Sequence, residues 1–162
     1  MSDNEEMEAI QAKAAVLVEA LPYVRHFRGS TFVVKYGGSF MDAPDPETRS
    51  RVARDIVFLN SVGIRVVVVH GGGKAITRTM NERGIESVFV DGLRVTDSRT
   101  IEIVDEVLNL KVNGEVAAFV EENDCEVERL PGKEVLQCVK LDSDPDLGFV
   151  GEITGVLVDS ID

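Results

Sequence analysis

Cysteine is scarce in this chain: Cys125 and Cys138 are the only two, far apart and with no histidine beside either. That excludes the closely spaced ligand set of a zinc site. Buried, reduced thiols in a cytosolic setting are the expectation. Positive charge is also short. Seventeen Lys and Arg against 29 Asp and Glu leave a net charge of −12, which argues against duplex DNA or an anionic membrane as the main partner. Plain solubility accounts for such a balance, and a small anion is not excluded, because a site is governed by its local groups. No apolar run reaches the roughly 20 residues needed to cross a bilayer. The N-terminus carries Asp3, Glu5, Glu6 and Glu8 where a signal peptide would be basic. The expected compartment is the cytoplasm. Internal repeats and low-complexity linkers are absent, and so are two phosphate-binding signatures. Gly73-Lys74 is followed by Ala75, so the hydroxyl that a P-loop offers to magnesium is missing. The GxGxxG spacing of a dinucleotide fold does not occur.

What is present is a chain of 162 residues, 44 % apolar, long enough for one globular unit with a core. Ile10, Ala14, Leu17, Val18 and Leu21 recur at helical spacing over residues 4–21, and Pro22 predicts a break or kink. Tyr23, Val24 and Phe27 continue an apolar face. Phe32-Val33-Val34 has the look of a buried strand. Asp45-Pro46-Glu47 predicts a helix start, with Asp45 as cap and Pro46 in first position. Gly63 ends that helix as a left-handed cap. Val66 to Val69 is an unbroken valine run, the pattern of a strand buried on both faces. His70-Gly71-Gly72-Gly73 follows at once, and Lys74 to Arg83 reads as a helix closed by Gly84. This βαβα order predicts a mainly parallel α/β sheet with helices on it. A strand over 87–90, a turn at Asp91-Gly92 and a long helix from Thr96-Asp97 to about Glu122 follow. Short β segments are expected at 125–130, 134–141, 147–150 and 153–158.

Two glycine-rich turns sit where such a sheet binds ligands, at strand carboxyl ends. At Gly71, Gly72 and Gly73 the backbone can approach a ligand without Cβ obstruction. The following helix offers free N–H groups and the positive end of its dipole, so a carboxylate or phosphate is the natural guest. Lys35 ends the first strand beside Gly37 and Gly38, and a lysine there can meet a phosphoryl group as a point charge. Arg94, just past the Asp91-Gly92 turn, has the fork that pairs a carboxylate at two points. His26 and His70 are candidate bases. Phosphoryl transfer needs positioning and charge neutralisation more than a base, and His70 is expected to pack the turn.

Taken together, the segments Phe32-Val33-Val34-Lys35-Tyr36-Gly37-Gly38-Ser39, Val67-Val68-Val69-His70-Gly71-Gly72-Gly73 and Asp91-Gly92-Leu93-Arg94-Val95-Thr96-Asp97 resemble the amino-acid kinase family. The resemblance is to its branch that phosphorylates N-acetyl-L-glutamate in arginine biosynthesis. Leu147-Gly148-Phe149-Val150-Gly151 is similar to a fourth family segment. The resemblance covers nearly the whole chain and implies an αβα fold with a β-hairpin-rich C-terminal part. It implies ATP, with Mg2+ as co-substrate and no protein metal site, as phosphoryl donor. Lys35 would stabilise the migrating phosphoryl group, and Gly37 and Gly38 would meet the nucleotide phosphates. Gly71, Gly72 and Gly73 would hold the acetylglutamate, with Arg94 on its α-carboxylate. Residues 1–28 would be a helical oligomerisation arm building a homo-oligomer, a dimer or a hexamer. Residues 29–162 would be the amino-acid-substrate lobe, with the nucleotide lobe expected beyond this chain. Pro131-Gly132-Lys133-Glu134 departs from the family pattern. Two alternatives stay open: a non-catalytic substrate-binding or assembly module, and a related kinase acting on an aminoadipate derivative or aspartate.

Overall fold

Two parallel strands carry the fold. The computed structural model of the chain describes residues 3–37 and 46–160. Strand β1 (Thr31–Tyr36) pairs in register with β2 (Arg65–His70), Lys35 opposite Val69 and Tyr36 opposite His70. Parallel strands need a crossover, supplied by helix α2 (Pro46–Ser61). Gly63, at φ +88°, ends the crossover, and Gly29 N–H donates to its carbonyl at 2.7 Å. Pro46 takes the first helical position as expected. Asp45, Ser39 and Gly38 lie outside the described residues.

The valine run does not bury both faces. Val66, Val67 and Val68 are half-buried, but Val69 is 49 % exposed, and Val33 of β1 is 70 % exposed. One side of the sheet thus presents bare apolar surface. The core lies elsewhere, where helix α3 (Gly73–Glu82) meets the long helical stretch after Asp97. Ile76 and Met80 of α3 pack on Ile103, Val107 and Val112.

That stretch is one rod in three parts: α4 (Ser98–Glu106), a π-helical segment (Val107–Val112) and α5 (Asn113–Glu121). Asp97 caps it, its side chain accepting from Thr100 N–H at 2.7 Å. Between α3 and the rod, β3 (Phe89–Val90) and β4 (Leu93–Arg94) form a minimal hairpin. Its two central residues, Asp91 and Gly92, both take positive φ, at 49° and 82°. That is the primed-turn geometry that suits a two-residue hairpin.

Helix α1 (Asp3–Phe27) continues through Pro22, so the expected break does not occur there. Its apolar residues Ile10, Leu17, Val18 and Tyr23 stay exposed. Phe27 reaches the body of the fold, its ring edge-on to Phe32 at 5.3 Å. At the other end, a helical turn α6 (Gly132–Val135) leads into β5 (Leu136–Lys140), which pairs antiparallel with β6 (Gly151–Val156). No ladder forms over 125–130. Residues 147–150 contribute a single bridge, Thr96 to Gly148, in place of a strand. Neither thiol is buried: Cys138 is exposed and Cys125 partly so, both free. The fold class is therefore α/β with a parallel sheet, a C-terminal β hairpin and an added N-terminal helix.

Candidate functional site

The carboxyl ends of β1 and β2 meet at the glycine turn. Gly71 N–H points to the Tyr36 carbonyl at 3.4 Å, so the Lys35-to-Gly37 and His70-to-Gly73 segments leave the sheet side by side. Gly72 stands at the N-cap of α3, and no side chain caps that helix end. The first N–H groups of a helix have no partner within it, so this end is an open donor set with a positive dipole behind it.

The three glycines differ in their surroundings. A Cβ on Gly71 or Gly73 would meet open space, whereas one on Gly72 would lie 2.5 Å from Leu108 Cδ2. Gly72 therefore lets the turn sit down on the π segment. Gly71 and Gly73 leave room above it, and a Cβ on Gly37 would likewise meet nothing within 4 Å.

Arg94 is drawn into this turn. Its Nη2 donates to the Gly73 carbonyl at 3.2 Å and to Thr77 Oγ1 at 2.8 Å, while Nη1 donates to Ser87 Oγ at 2.6 Å and meets Met80 Sδ at 3.3 Å. Its guanidinium also stacks over the Phe89 ring at 4.6 Å. Desolvation by burial pushes its pKa down from the usual arginine value, yet arginine stays charged at neutral pH. An open cleft of about 670 Å³ lies over this arrangement, lined by Gly73, Lys74, Thr77, Arg78, Phe89 and Arg94, with Asn81 and Glu82 at its side. Its lining holds three cationic side chains and one carboxylate, in a chain of net charge −12. A second open hollow, of about 520 Å³ near Cys125, is lined by three carboxylates and does not suit an anion.

Of the residues picked out from sequence, Gly73 and Arg94 line the cleft and touch each other. Gly71 and Gly72 form the turn beneath it. Lys35 lies at the end of the neighbouring strand, exposed, outside the cleft lining. Gly37 follows it, and Gly38 falls outside the described residues. Thr77 and Ser87, which hold Arg94, escaped the sequence reading. Thr77 had a signal, since it lies one helical turn beyond Gly73 and its hydroxyl donates to the Gly73 carbonyl. The fourth segment docks beside Arg94. Thr96 N–H donates to the Leu147 carbonyl at 2.8 Å, and Phe149 N–H to the Thr96 carbonyl at 2.7 Å. Among the described residues no group of three or more His, Cys, Asp or Glu side chains is arranged to hold a metal, and no helix is long and apolar enough to cross a membrane.

A glycine turn at the end of β2, beside the end of the parallel strand β1 and with a forked arginine against it, defines an α/β domain with an open, cation-lined cleft. The chain belongs to the amino acid kinase family, whose model matches residues 30–161. It is 45 % identical over 152 residues to the acetylglutamate kinase of Thermoanaerobacter sp. (strain X514), covering 93 % of this chain and 50 % of that one. Against the acetylglutamate kinase of Synechocystis sp. it is 45 % identical over 150 residues, covering 92 % and 50 %. The chain thus spans about half the length of the curated relatives it matches. Among solved structures it is similar to N-acetylglutamate synthase from Neisseria gonorrhoeae complexed with coenzyme A and L-arginine. That match has a TM-score of 0.66 and 26 % identity over 91 % of this chain and 36 % of the other.

Proposed function

We propose that this chain supplies the acyl-amino-acid-binding half of an ATP-dependent phosphotransferase acting on the side-chain carboxylate of N-acetyl-L-glutamate, in arginine biosynthesis in the cytoplasm. A carboxylate oxygen attacks the γ-phosphorus of ATP, the bond to the ADP oxygen breaks, and an acyl phosphate forms. The observation that carries the reading is the bond from Arg94 to the Gly73 carbonyl, which couples a carboxylate-pairing fork to an uncapped helix N-terminus. The identity to acetylglutamate kinases supports the choice of acceptor.

In this reading Gly71, Gly72 and Gly73 receive the acetylglutamate on backbone N–H groups, and Arg94 pairs with its α-carboxylate. All four Nη hydrogens of Arg94 are engaged within the protein, so substrate exchanges for some of these contacts. The weak one, to the Met80 sulfur, is the first to yield. Among the described residues the Lys35 ammonium has no hydrogen bond or ion pair, and a lysine there suits the charge developing on the transferred phosphoryl group. Gly37, with open space at its α-carbon, and Gly38 approach the nucleotide phosphates. Mg2+ arrives on the ATP phosphates and neutralises part of their charge. Helix α1 joins copies of the chain into a homo-oligomer.

Separate calorimetric titrations with N-acetylglutamate and ATP, followed by a turnover assay, test this. Acetylglutamate binding that is lost in Arg94→Ala and kept in Lys35→Ala is the expected result. In an enzyme containing both halves, Lys35→Ala lowers kcat and leaves acetylglutamate affinity nearly intact. Tight binding of an aminoadipate derivative or aspartate in place of acetylglutamate would move the reading to a related kinase. Absence of binding to any of these would leave an assembly module.

A further inference from the structure

The glycine turn is braced from behind by three side chains that its ligand would not touch. His70 Nδ1 lies 3.0 Å from the Gly71 carbonyl oxygen, and its Nε2 lies 3.3 Å from Asn113 Nδ2. Asn113 Oδ1 in turn accepts a hydrogen bond from Arg129 Nε, and Arg129 Nη2 donates to the Asn109 carbonyl at 2.6 Å. Neither Asn113 nor Arg129 lines the cleft.

The protons in this chain follow from its far end. A guanidinium only donates, so Arg129 requires the oxygen of the Asn113 amide. The amide nitrogen must then face His70 and donate. Nε2 of His70 must therefore be the acceptor, which leaves the ring proton on Nδ1, aimed at the Gly71 carbonyl. Holding that carbonyl has a consequence across the peptide plane. In a trans peptide the C=O and the next N–H point to opposite sides, so the Gly72 N–H is turned away from His70.

The π segment makes the brace possible. Asn113 N–H bonds to the Leu108 carbonyl, five residues back, rather than to Asn109 as an α-helix would have it. Arg129 takes a place at the Asn109 carbonyl. The same segment puts Leu108 and Val112 under Gly72. One bulge thus aims Asn113 at the histidine and floors the turn.

We propose that Arg129, Asn113 and His70 form a positioning relay: they lock His70 in its Nδ1–H form and thereby set the direction of the amides at Gly71–Gly73 that receive the anionic substrate. The second part rests on the function proposed above. The first does not.

The test uses the whole chain with uniform 15N labelling. There are two histidines, so His26→Gln assigns the signals. Long-range 1H–15N spectra at neutral pH should give His70 the Nδ1–H pattern. Free histidine prefers the other tautomer, and finding that form in the wild type overturns the proposal. Asn113→Leu should move His70 to the Nε2–H form and shift the Gly71, Gly72 and Gly73 amide resonances. Arg129→Met, which keeps Asn113 but frees its amide to rotate, should do so in part. Unmoved glycine resonances in both variants sink the relay. Acetylglutamate affinity should fall about tenfold in Asn113→Leu, the scale of one lost hydrogen bond to a site group. If the tautomer changes and affinity does not, the positioning role fails. If the wild type binds no acetylglutamate, the substrate assignment falls, and the tautomer and glycine-amide signals still decide the relay.

Discussion

Gly73 and Gly148 make opposite demands, and substitution separates them. At Gly73 a Cβ meets open space, so Gly73→Ala should hold the fold and gain about 0.5 kcal/mol by restricting the unfolded chain. The same methyl stands where a ligand would approach, so acetylglutamate affinity should drop at least tenfold. At Gly148 the φ of +77° and a Cβ 2.2 Å from the Thr96 carbonyl oxygen leave no room. Gly148→Ala costs about 1–3 kcal/mol for the backbone conformation alone, and the clash with main chain adds to it. Thermal melts with calorimetry check both. A destabilised Gly73→Ala with normal binding would reverse the assignment. Asp97 gives a pH-dependent case. Its hydrogen bond with Thr100 holds its pKa below the usual carboxylate value. A depressed folded pKa gives stability that is fully present above the unfolded value of about 3.9 and is lost as pH falls through the folded one. Urea midpoints of wild type and Asp97→Ala should therefore converge as pH drops from 6 toward 3. A constant gap would mean that the cap does not act through its charge. Much of this scale was readable from local sequence. Lys35 lies outside the cleft lining, whereas the turn at Gly71–Gly73, the approach of Arg94 to it and the Asp97 cap announce themselves through a glycine cluster, a turn and a capping position. Asn113 and Arg129 do not, since they reach His70 only after the rod and the loop beyond it have folded.

Helix α1 poses the sharpest question among the elements. It is 25 residues long, about 37 Å at 1.5 Å per residue, and most of its large apolar side chains are exposed. Leu17 is 72 % exposed and Val18 69 %, and exposed apolar side chains of that kind suit the oligomerisation arm proposed above. Removing residues 1–28 should lower the sedimenting mass and leave the melting temperature within a few degrees, because the aromatic packing removed with the helix is that of Phe27 on Phe32. Unchanged mass would sink the oligomerisation arm. A large fall in melting temperature would make α1 part of the core instead. Helix periodicity announced α1, α2, α3 and the rod because each carries apolar residues at helical spacing. It could not show the π segment, since one residue added per turn barely disturbs the apolar pattern of Val104, Val107, Leu108 and Val112. The strand reading of 125–130 went wrong for a different reason. Alternation shows that a segment can pair, and among the described residues Cys125 to Leu130 has no strand partner. The valines of β2 gave the strand correctly and its surroundings incorrectly, because burial on both faces depends on what lies across the sheet.

For the molecule as a whole, the issue is whether a chain of net charge −12 can hold the anion proposed for it. A globule of this length has a radius of about 20 Å. Spread over it, twelve charges repel a unit anion at the surface by about 2.5 kcal/mol in water without salt. At 0.15 M salt, with a Debye length near 8 Å, that falls below about 1 kcal/mol. A cation 4 Å from the anion at a protein surface attracts it by about 4 kcal/mol. The cleft lining brings Arg94, Lys74 and Arg78 against the single carboxylate of Glu82, and the uncapped end of α3 adds to them. Local attraction outweighs the distant repulsion. Salt should therefore weaken acetylglutamate binding, by about three- to tenfold between 0.02 and 0.2 M, since it screens exposed pairs such as those of Lys74 and Arg78. If whole-chain repulsion governed instead, added salt would strengthen binding, and calorimetry across a salt series separates the two by sign alone. A flat response in Lys74→Ala/Arg78→Ala, with the remaining affinity carried by Arg94 and the turn, would assign the salt-sensitive part to those two cations.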